Sequence, residues 1–190
     1  MGSGATAFVY NGKFNAEKYL ELLQNYKINV LCCTPTEYRL MAKLPNLTDY
    51  NLEHLHSAVS AGEPLNREVV EKFQTNFDLT VRDGYGQTES TLLIGFLKDT
   101  ESRPGSMGKA IPGSHVTVIN DDGELAEIRE VGNIAVPLDL PALFKGYYKD
   151  SERTAEPRIG DYYITGDLAK LDEDGYFWFE GRKDDIIISS

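Results

Sequence analysis

The residues best suited to binding or catalysis lie together at positions 83–89, where the chain reads DGYGQTE. They place the ring of Tyr85, the hydroxyl of Thr88 and the carboxylate of Glu89 close to two glycines. Glycine lets a backbone pass near a ligand where any side chain would collide. A flat ring, a hydroxyl and a carboxylate can hold a base, a phosphate and Mg²⁺. The segment therefore predicts a tight nucleotide-binding turn after the strand-like residues 79–82.

Length, composition and charge bound the class of protein. A chain of 190 residues with 41% hydrophobic content can bury one good core or two small ones. No apolar run approaches a membrane span, and the N-terminus lacks a signal-peptide pattern, which predicts a cytoplasmic protein with no membrane association. The formal net charge of −11 argues against general binding to nucleic acid. A phosphate-bearing ligand must therefore be held locally, by backbone dipoles, a few cations or a metal.

The first half of the chain alternates helical and strand patterns. Residues 34–37 form a capping box, which predicts a helix start. The adjacent Cys32 and Cys33 have no metal or disulfide spacing and are predicted to be reduced core residues. Strand, helix and strand in this order imply parallel pairing through right-handed crossovers. The pattern predicts helices at residues 16–26 (capped by Asn15, with Tyr26 on its apolar face) and from 35 to about 44, and strands at 28–33, 56–60 and 80–82. A third helix, capped by Asn66, is predicted to turn Val69, Val70, Phe73 and Phe77 inward.

The second half of the chain lacks long helical patterns, and glycine and proline separate short strand patterns there. Strands are predicted at 115–120, 162–171 and 176–180, with one short helical turn at 150–156. The fold class is therefore α/β: the end of a parallel strand–helix subdomain followed by a β-rich, distorted-barrel subdomain. We expect residues 1–98 to form the C-terminal part of the α/β subdomain and 99–181 the β-rich one. The chain is interpreted as a piece of a larger enzyme.

Four separated stretches together resemble the adenylate-forming superfamily of acyl-CoA synthetases, peptide-synthetase adenylation domains and luciferases. They are residues 60–65 (SAGEPL), 85–89 (YGQTE), 163–167 (YITGD) and 181–185 (GRKDD). The resemblance extends over essentially the whole chain and is strongest to the acetyl- and medium-chain acyl-CoA synthetases. Residues 104–109 and 144–148 add weaker matches. One matching pentapeptide alone is also compatible with an ordinary turn, but four in the right order favour the family.

The resemblance implies roles for individual residues around ATP or AMP. Tyr85 would stack on adenine, Thr88 would donate to the α-phosphate, Glu89 would ligate Mg²⁺ as the metal residue, and Asp167 and Arg182 would reach the ribose from opposite sides. Thr88 and Glu89 are the implied catalytic residues. The implied nucleotide-binding residues are Gly62, Glu63, Pro64, Asp83, Gly84, Tyr85, Gly86, Gln87, Thr88, Asp167 and Arg182.

The implied reaction has two half-reactions. A carboxylic acid attacks the α-phosphate of ATP, and coenzyme A then displaces AMP from the acyl-adenylate. Asp184 matches the position at which the family pivots its C-terminal domain, so residues 182–190 would be a hinge leading to that domain. The family's phosphate loop and C-terminal lysine are not among these residues, and the piece alone is therefore expected to be inactive. A homo-oligomer is possible.

The resemblance also makes Gly86 informative about the size of the acyl group. Acetate-restricted relatives tend to carry tryptophan at this position, and the resemblance therefore implies open volume beside Gly86 and an acyl group longer than acetyl.

Two other readings stay open. An amino-acid or aryl-acid adenylation domain would share the first half-reaction but would use a carrier-bound thiol. A non-catalytic, truncated nucleotide-binding scaffold would retain only part of the site. A dinucleotide-binding fold is set aside, because no Gly-x-Gly-x-x-Gly follows the early strands.

Overall fold

The computed structural model describes residues 4–185 and confirms an α/β fold. Within this range, no helix is both long and apolar enough to cross a bilayer. The helices are α1 (Ala16–Asn25), α2 (Pro35–Ala42), α3 (Arg67–Phe77) and α4 (Ser151–Ala155), with 3-10 turns at Leu47–Asp49 and Lys183–Asp185. The strands are β1 (Val30–Cys33), β2 (Ser57–Ala61), β3 (Val81–Gln87), β4 (Thr91–Gly95), β5 (Lys109–Ala110), β6 (Thr117–Ile119), β7 (Gly132–Pro137), β8 (Arg158–Ile159), β9 (Tyr162–Leu171) and β10 (Phe177–Arg182).

The first sheet has the order β1-β2-β3-β4-β5. The β1–β2 and β2–β3 pairs are parallel, as the strand–helix alternation predicts, and β4 and β5 add antiparallel strands. Apolar side chains of α1, α2 and α3 share one core with alternate residues of the parallel strands. Leu20, Met41 and Phe73 are fully buried there, next to Ala58 and Val81. The helices thus support one face of the strands that carry residues 60–65 and 83–87.

The helix starts follow from local capping. The capping box at α2 is confirmed: the Glu37 amide donates to Thr34 Oγ1 (3.3 Å) and the Thr34 amide donates to Glu37 Oε2 (2.9 Å). Asn15 caps α1 by accepting from the Lys18 amide. Asn66 occupies the N-cap position of α3, but its side chain makes no capping hydrogen bond.

Two predicted core positions are wrong. Cys32 is exposed, although Cys33 is buried as predicted. Successive strand side chains alternate between faces, and Cys33 points towards the helices while Cys32 lies on the opposite face with Val30. Tyr26 is 62% exposed because α1 ends at Asn25 and the chain turns there.

The second sheet is antiparallel and curled, with the order β10-β9-β7-β6 and with β8 paired to β9. Its core contains Val118, Ile134 and Phe177, together with Leu93 and Ile94 from β4 of the first sheet. The sequence pattern predicts no strand at the positions of β4, β5, β7 and β8. The two halves of the chain therefore share apolar packing through β4.

The predicted division of the chain at residue 98 stays a prediction. β5 follows that position and still pairs with β4 of the first sheet. Residues 186–190 of the predicted hinge lie outside the described residues.

Backbone contacts join the segment before β5 to β10. The Met107 amide donates to the Phe177 carbonyl and the Phe177 amide donates to the Gly108 carbonyl, both at 2.9 Å. Gly108 has a φ of +93°, and a Cβ there would collide with the Gly95 backbone, reaching its Cα at 3.0 Å. Glycine is therefore required at residue 108 both by conformation and by the close approach of β4.

Replacing Gly108 with alanine is expected to cost about 2–4 kcal/mol of unfolding free energy. About 1 kcal/mol or more comes from the left-handed backbone and the rest from the clash with Gly95. Gly113→Ala is the matched control, because Gly113 has a φ of +85° and open space around its Cβ position. Chemical denaturation measures both variants. Equal destabilisation would contradict a close approach at Gly108.

Candidate functional site

A cavity of about 290 Å³ brings residues of all four sequence stretches together. The 62–64 loop and β3 contribute one side, while β9 and β10 contribute the other. The lining residues are Gly62, Glu63, Pro64, Asp83, Gly84, Tyr85, Gly86, Gln87, Met107, Asp167, Phe179 and Arg182.

Asp167 is the central polar group of this cavity. Its Oδ2 accepts hydrogen bonds from the Tyr85 hydroxyl (2.6 Å) and from Gln87 Nε2 (2.9 Å). Its side chain is only 11% exposed, and Arg182 Nε lies 3.8 Å from Oδ1. A buried carboxylate needs such donors to offset its lost hydration. Oδ1 is therefore the oxygen left most available to a ligand.

Irregular pairing occurs in each strand pair that supplies these side chains. The β3–β4 register shifts between Tyr85 and Gly86. The β7–β9 register shifts across the residues around Gly166, and the β9–β10 register shifts between Phe179 and Gly181. Bulges bend a strand and redirect its side chains, and they are frequent beside functional sites. Here they lie where Tyr85, Asp167 and Arg182 converge.

The predicted tight turn at residues 83–89 is wrong in its position. β3 continues through Gln87, because Asp83 and Gly84 pair with β2 on one side and residues 84–87 pair with β4 on the other. The turn itself spans residues 88–90. Asp83 is thus fixed by pairing with β2, Tyr85 by pairing with β4 and Gly84 by both, rather than by a loop.

The open volume expected beside Gly86 is filled by backbone. A Cβ at Gly86 would collide with the Thr91 carbonyl oxygen and would lie 2.9 Å from Leu92 Cα. The structure therefore explains this glycine by the close approach of β4, and the inference of a longer acyl group from Gly86 is not supported.

The loop at residues 62–64 is tethered to the start of α2. The Thr36 hydroxyl donates to Glu63 Oε2 (2.6 Å), and Arg39 Nη2 donates to Thr36 Oγ1 (2.9 Å). Gly62 has a φ of +102°, which favours glycine. The Glu63 carboxylate is therefore held by α2, and this contact fixes one wall of the cavity.

Thr88 and Glu89 lie in the turn after β3, next to the cavity but outside its lining. Thr88 is exposed, and Glu89 Oε1 accepts a hydrogen bond from the Tyr147 hydroxyl (2.7 Å). Among residues 4–185, no three His, Cys, Asp or Glu side chains form a metal cluster. The chemistry of one carboxylate fits Mg²⁺ that takes its other ligands from phosphates and water.

Asp184 lies beyond the cavity. Its carboxylate is 84% exposed, with Oδ2 4.0 Å from Arg182 Nη2. The predicted hinge residue therefore lies two positions after Arg182, the cation that borders Asp167.

Sequence reasoning missed two lining residues and one interaction. Met107 lies in the weaker match at residues 104–109 and would have been found by giving that match a site role. Phe179 carried no signal beyond its strand pattern. Gln87 lines the cavity and its role as a ligand residue stays a prediction; the missed interaction is the donation of its amide to Asp167 and to the Thr165 carbonyl (2.9 Å each).

The family profile described as AMP-binding enzyme matches residues 1–148, most of the chain. The chain belongs to the AMP-binding enzyme family. Its relatives in that family include an uncharacterized acyl-CoA ligase, YtcI, of Bacillus subtilis, which is 67% identical across 100% of this chain and 36% of its own length. The rat mitochondrial acyl-coenzyme A synthetase ACSM3 is 40% identical across 98% of this chain and 33% of its own length. The chain spans about a third of the length of these relatives.

A solved structure of the same architecture supports the family assignment. The anthranilate CoA ligase AuaEII, crystallised with anthranoyl-AMP, matches with a TM-score of 0.83 and 27% identity. The match covers 90% of this chain and 33% of the ligase.

The Asp83 carboxyl lines the cavity of this AMP-binding family member, and its pKa departs from the ordinary value. Burial raises its pKa to about 6, although hydrogen bonds from the Gly84 and Leu65 amides oppose that shift. The Gly84 amide lies 3.0 Å from Asp83 Oδ1. A carboxyl with a higher pKa in the folded state holds its proton more tightly there than in the unfolded chain. Unfolding free energy is therefore lost as pH rises from about 4 to about 6.

Asp83→Asn removes this pH dependence. Relative to the unsubstituted protein, we expect the variant to gain about 1–3 kcal/mol of unfolding free energy between pH 4 and pH 6.5, with no further gain above. Urea denaturation across this pH range measures the difference, and Asp139→Asn at an exposed position is the control. A difference that is flat with pH would contradict a buried, protonatable Asp83.

Proposed function

We propose that the natural gene product is an AMP-forming, ATP-dependent acyl-CoA synthetase, an acid–thiol ligase, and that this chain forms the adenosine side of its site. The observation that supports this most is the shared cavity of Tyr85, Asp167 and Arg182 with the 62–64 loop. Family membership and relatives named as acyl-CoA ligases support the reaction class.

The cavity has the groups that an adenosine needs. Adenine would lie between the Tyr85 ring and the Gly62, Glu63 and Pro64 loop, with Asp83 and Gly84 at its edge. Stacking of adenine on the Tyr85 ring would stabilise the complex. The 62–64 loop is already tethered, so it would lose little conformational entropy on binding.

The ribose would lie beside Asp167. Oδ1 would accept from the ribose hydroxyls, because Oδ2 is already engaged by Tyr85 and Gln87. Arg182 would approach the ribose from its other side, since its guanidinium borders Oδ1.

The phosphates would extend towards the turn at 88–90. Thr88 would donate its hydroxyl to the α-phosphate, and Glu89 would hold Mg²⁺ together with the nucleotide. Mg²⁺, when bound, supplies neutralisation of phosphate charge. The residues of the chain at this turn would position the phosphates, and such positioning needs few titrating groups.

The full reaction would join a carboxylic acid to coenzyme A through an acyl-adenylate. The acid attacks the α-phosphorus of ATP, pyrophosphate leaves, and the CoA thiol then displaces AMP. Asp184 would serve as the pivot between the two half-reactions. We expect these 190 residues alone to bind nucleotide weakly and to lack the complete reaction. The cytoplasmic location and a homo-oligomer stay predictions.

Substitutions at Tyr85 separate its ring from its hydroxyl. In the natural gene product, Tyr85→Ala is expected to raise the KM for ATP about 10- to 100-fold, because a stacked ring contributes about 1–3 kcal/mol. Tyr85→Phe keeps the ring but removes one hydrogen bond to Asp167, and it is expected to raise the KM about fivefold or less, because one hydrogen bond contributes about 1 kcal/mol net. Steady-state assays of AMP release with varied ATP measure both, and Tyr26→Ala on the exposed end of α1 is the control.

The acceptor is tested in the same assay. CoA-dependent release of AMP with a carboxylic acid supports the ligase, whereas adenylate formation without thioester formation favours the carrier-dependent alternative. Absence of any ATP-dependent acid activation, or equal KM values for Tyr85→Ala and Tyr26→Ala, would contradict the proposed function.

A further inference from the structure

Glu89 is held by a separate segment at residues 144–154, which we call the docking segment. Two hydrogen bonds join them. The Tyr147 hydroxyl donates to Glu89 Oε1, and the Phe144 amide donates to the Glu89 carbonyl, both at 2.7 Å. One residue is thus fixed through its backbone and its side chain by the same segment.

The docking segment is itself ordered by internal contacts. The Tyr147 amide donates to Thr154 Oγ1 (2.9 Å), and the Thr154 hydroxyl donates to the Asp150 carbonyl (2.6 Å). The Arg153 guanidinium lies 4.2 Å from the centre of the Tyr147 ring. These contacts fix the ring whose hydroxyl reaches Glu89.

Aromatic packing attaches the docking segment to the second sheet. The Phe144 ring packs against Tyr147 (5.0 Å between centroids) and against buried Tyr163 of β9 (5.6 Å). Tyr163 lies on the same strand as Asp167. The Tyr147 hydroxyl therefore has a defined position relative to the cavity.

We propose that Tyr147 is a positioning residue that orients the Glu89 carboxylate for Mg²⁺ carried by the nucleotide. This inference rests on the proposed function. One donated hydrogen bond restrains the flexible glutamate side chain and occupies Oε1, while Oε2 stays available as a ligand atom. Groups that orient a metal ligand raise metal affinity without touching the metal.

The neighbouring residue provides a matched control. Tyr148 has the same side chain one position later, and it is 88% exposed. Tyr147→Phe and Tyr148→Phe each remove one hydroxyl from the same segment, but only the first removes a hydrogen bond to Glu89.

The experiment measures the metal requirement in the natural gene product. With ATP saturating, Tyr147→Phe is expected to raise the half-saturating Mg²⁺ concentration about tenfold, and excess Mg²⁺ is expected to restore the rate. Binding of Mn²⁺ with ATP, followed by electron paramagnetic resonance, is expected to weaken by the same factor. Tyr148→Phe should leave both quantities unchanged.

Glu89→Gln and the double variant show whether Tyr147 acts through Glu89. If it does, Glu89→Gln raises the metal requirement and adding Tyr147→Phe raises it no further. An unchanged metal requirement in Tyr147→Phe, with only a lower melting temperature, would overturn the inference and leave the ligase activity standing. Failure of the unsubstituted protein to form an acyl-CoA would overturn the proposed function, and unchanged Mn²⁺ binding in Glu89→Gln would overturn the inference.

Discussion

The hydrogen bonds that converge on Asp167 are the constraint on which the cavity depends. Asp167 comes from the antiparallel sheet, whereas its donors Tyr85 and Gln87 come from β3 of the first sheet. A carboxylate this buried is costly unless donors surround it, and both donors therefore have to stay in place. The same bonds leave Oδ1 as the acceptor that faces Arg182. These two hydrogen bonds thus join the two sheets and leave Asp167 Oδ1 open to the cavity.

The backbone around this contact has little freedom. Gly86 and Gly108 lie where β4 approaches too closely for a side chain, and irregular pairing in β9 and β10 directs Asp167 and Arg182 to the same side. The 62–64 loop is held by its bond to Thr36 at the start of α2. A nucleotide that entered the cavity would therefore meet groups that are ordered beforehand, which lowers the cost of binding.

The sequence predicts the local features of this molecule better than its long-range ones. The capping box at Thr34 and the strand at residues 162–171 are confirmed, because capping and strand alternation are set by neighbouring residues. The turn placed at residues 83–89 is wrong, since pairing with β4 continues the strand and no local pattern revealed β4. Cys32 is exposed for a similar reason, because the face covered by the helices is decided by tertiary packing. The contacts of Gln87 with Asp167 and of Tyr147 with Glu89 join residues far apart in sequence, and a single chain gives no signal for them.

A crystal structure of the natural gene product with bound AMP tests the central claim most directly. The account predicts the ribose hydroxyls within hydrogen-bonding distance of Asp167 Oδ1, the adenine between the Tyr85 ring and the 62–64 loop, and the Tyr85 and Gln87 bonds to Oδ2 retained. AMP bound at another surface, or bound here with Asp167 turned away from the ribose, would contradict it.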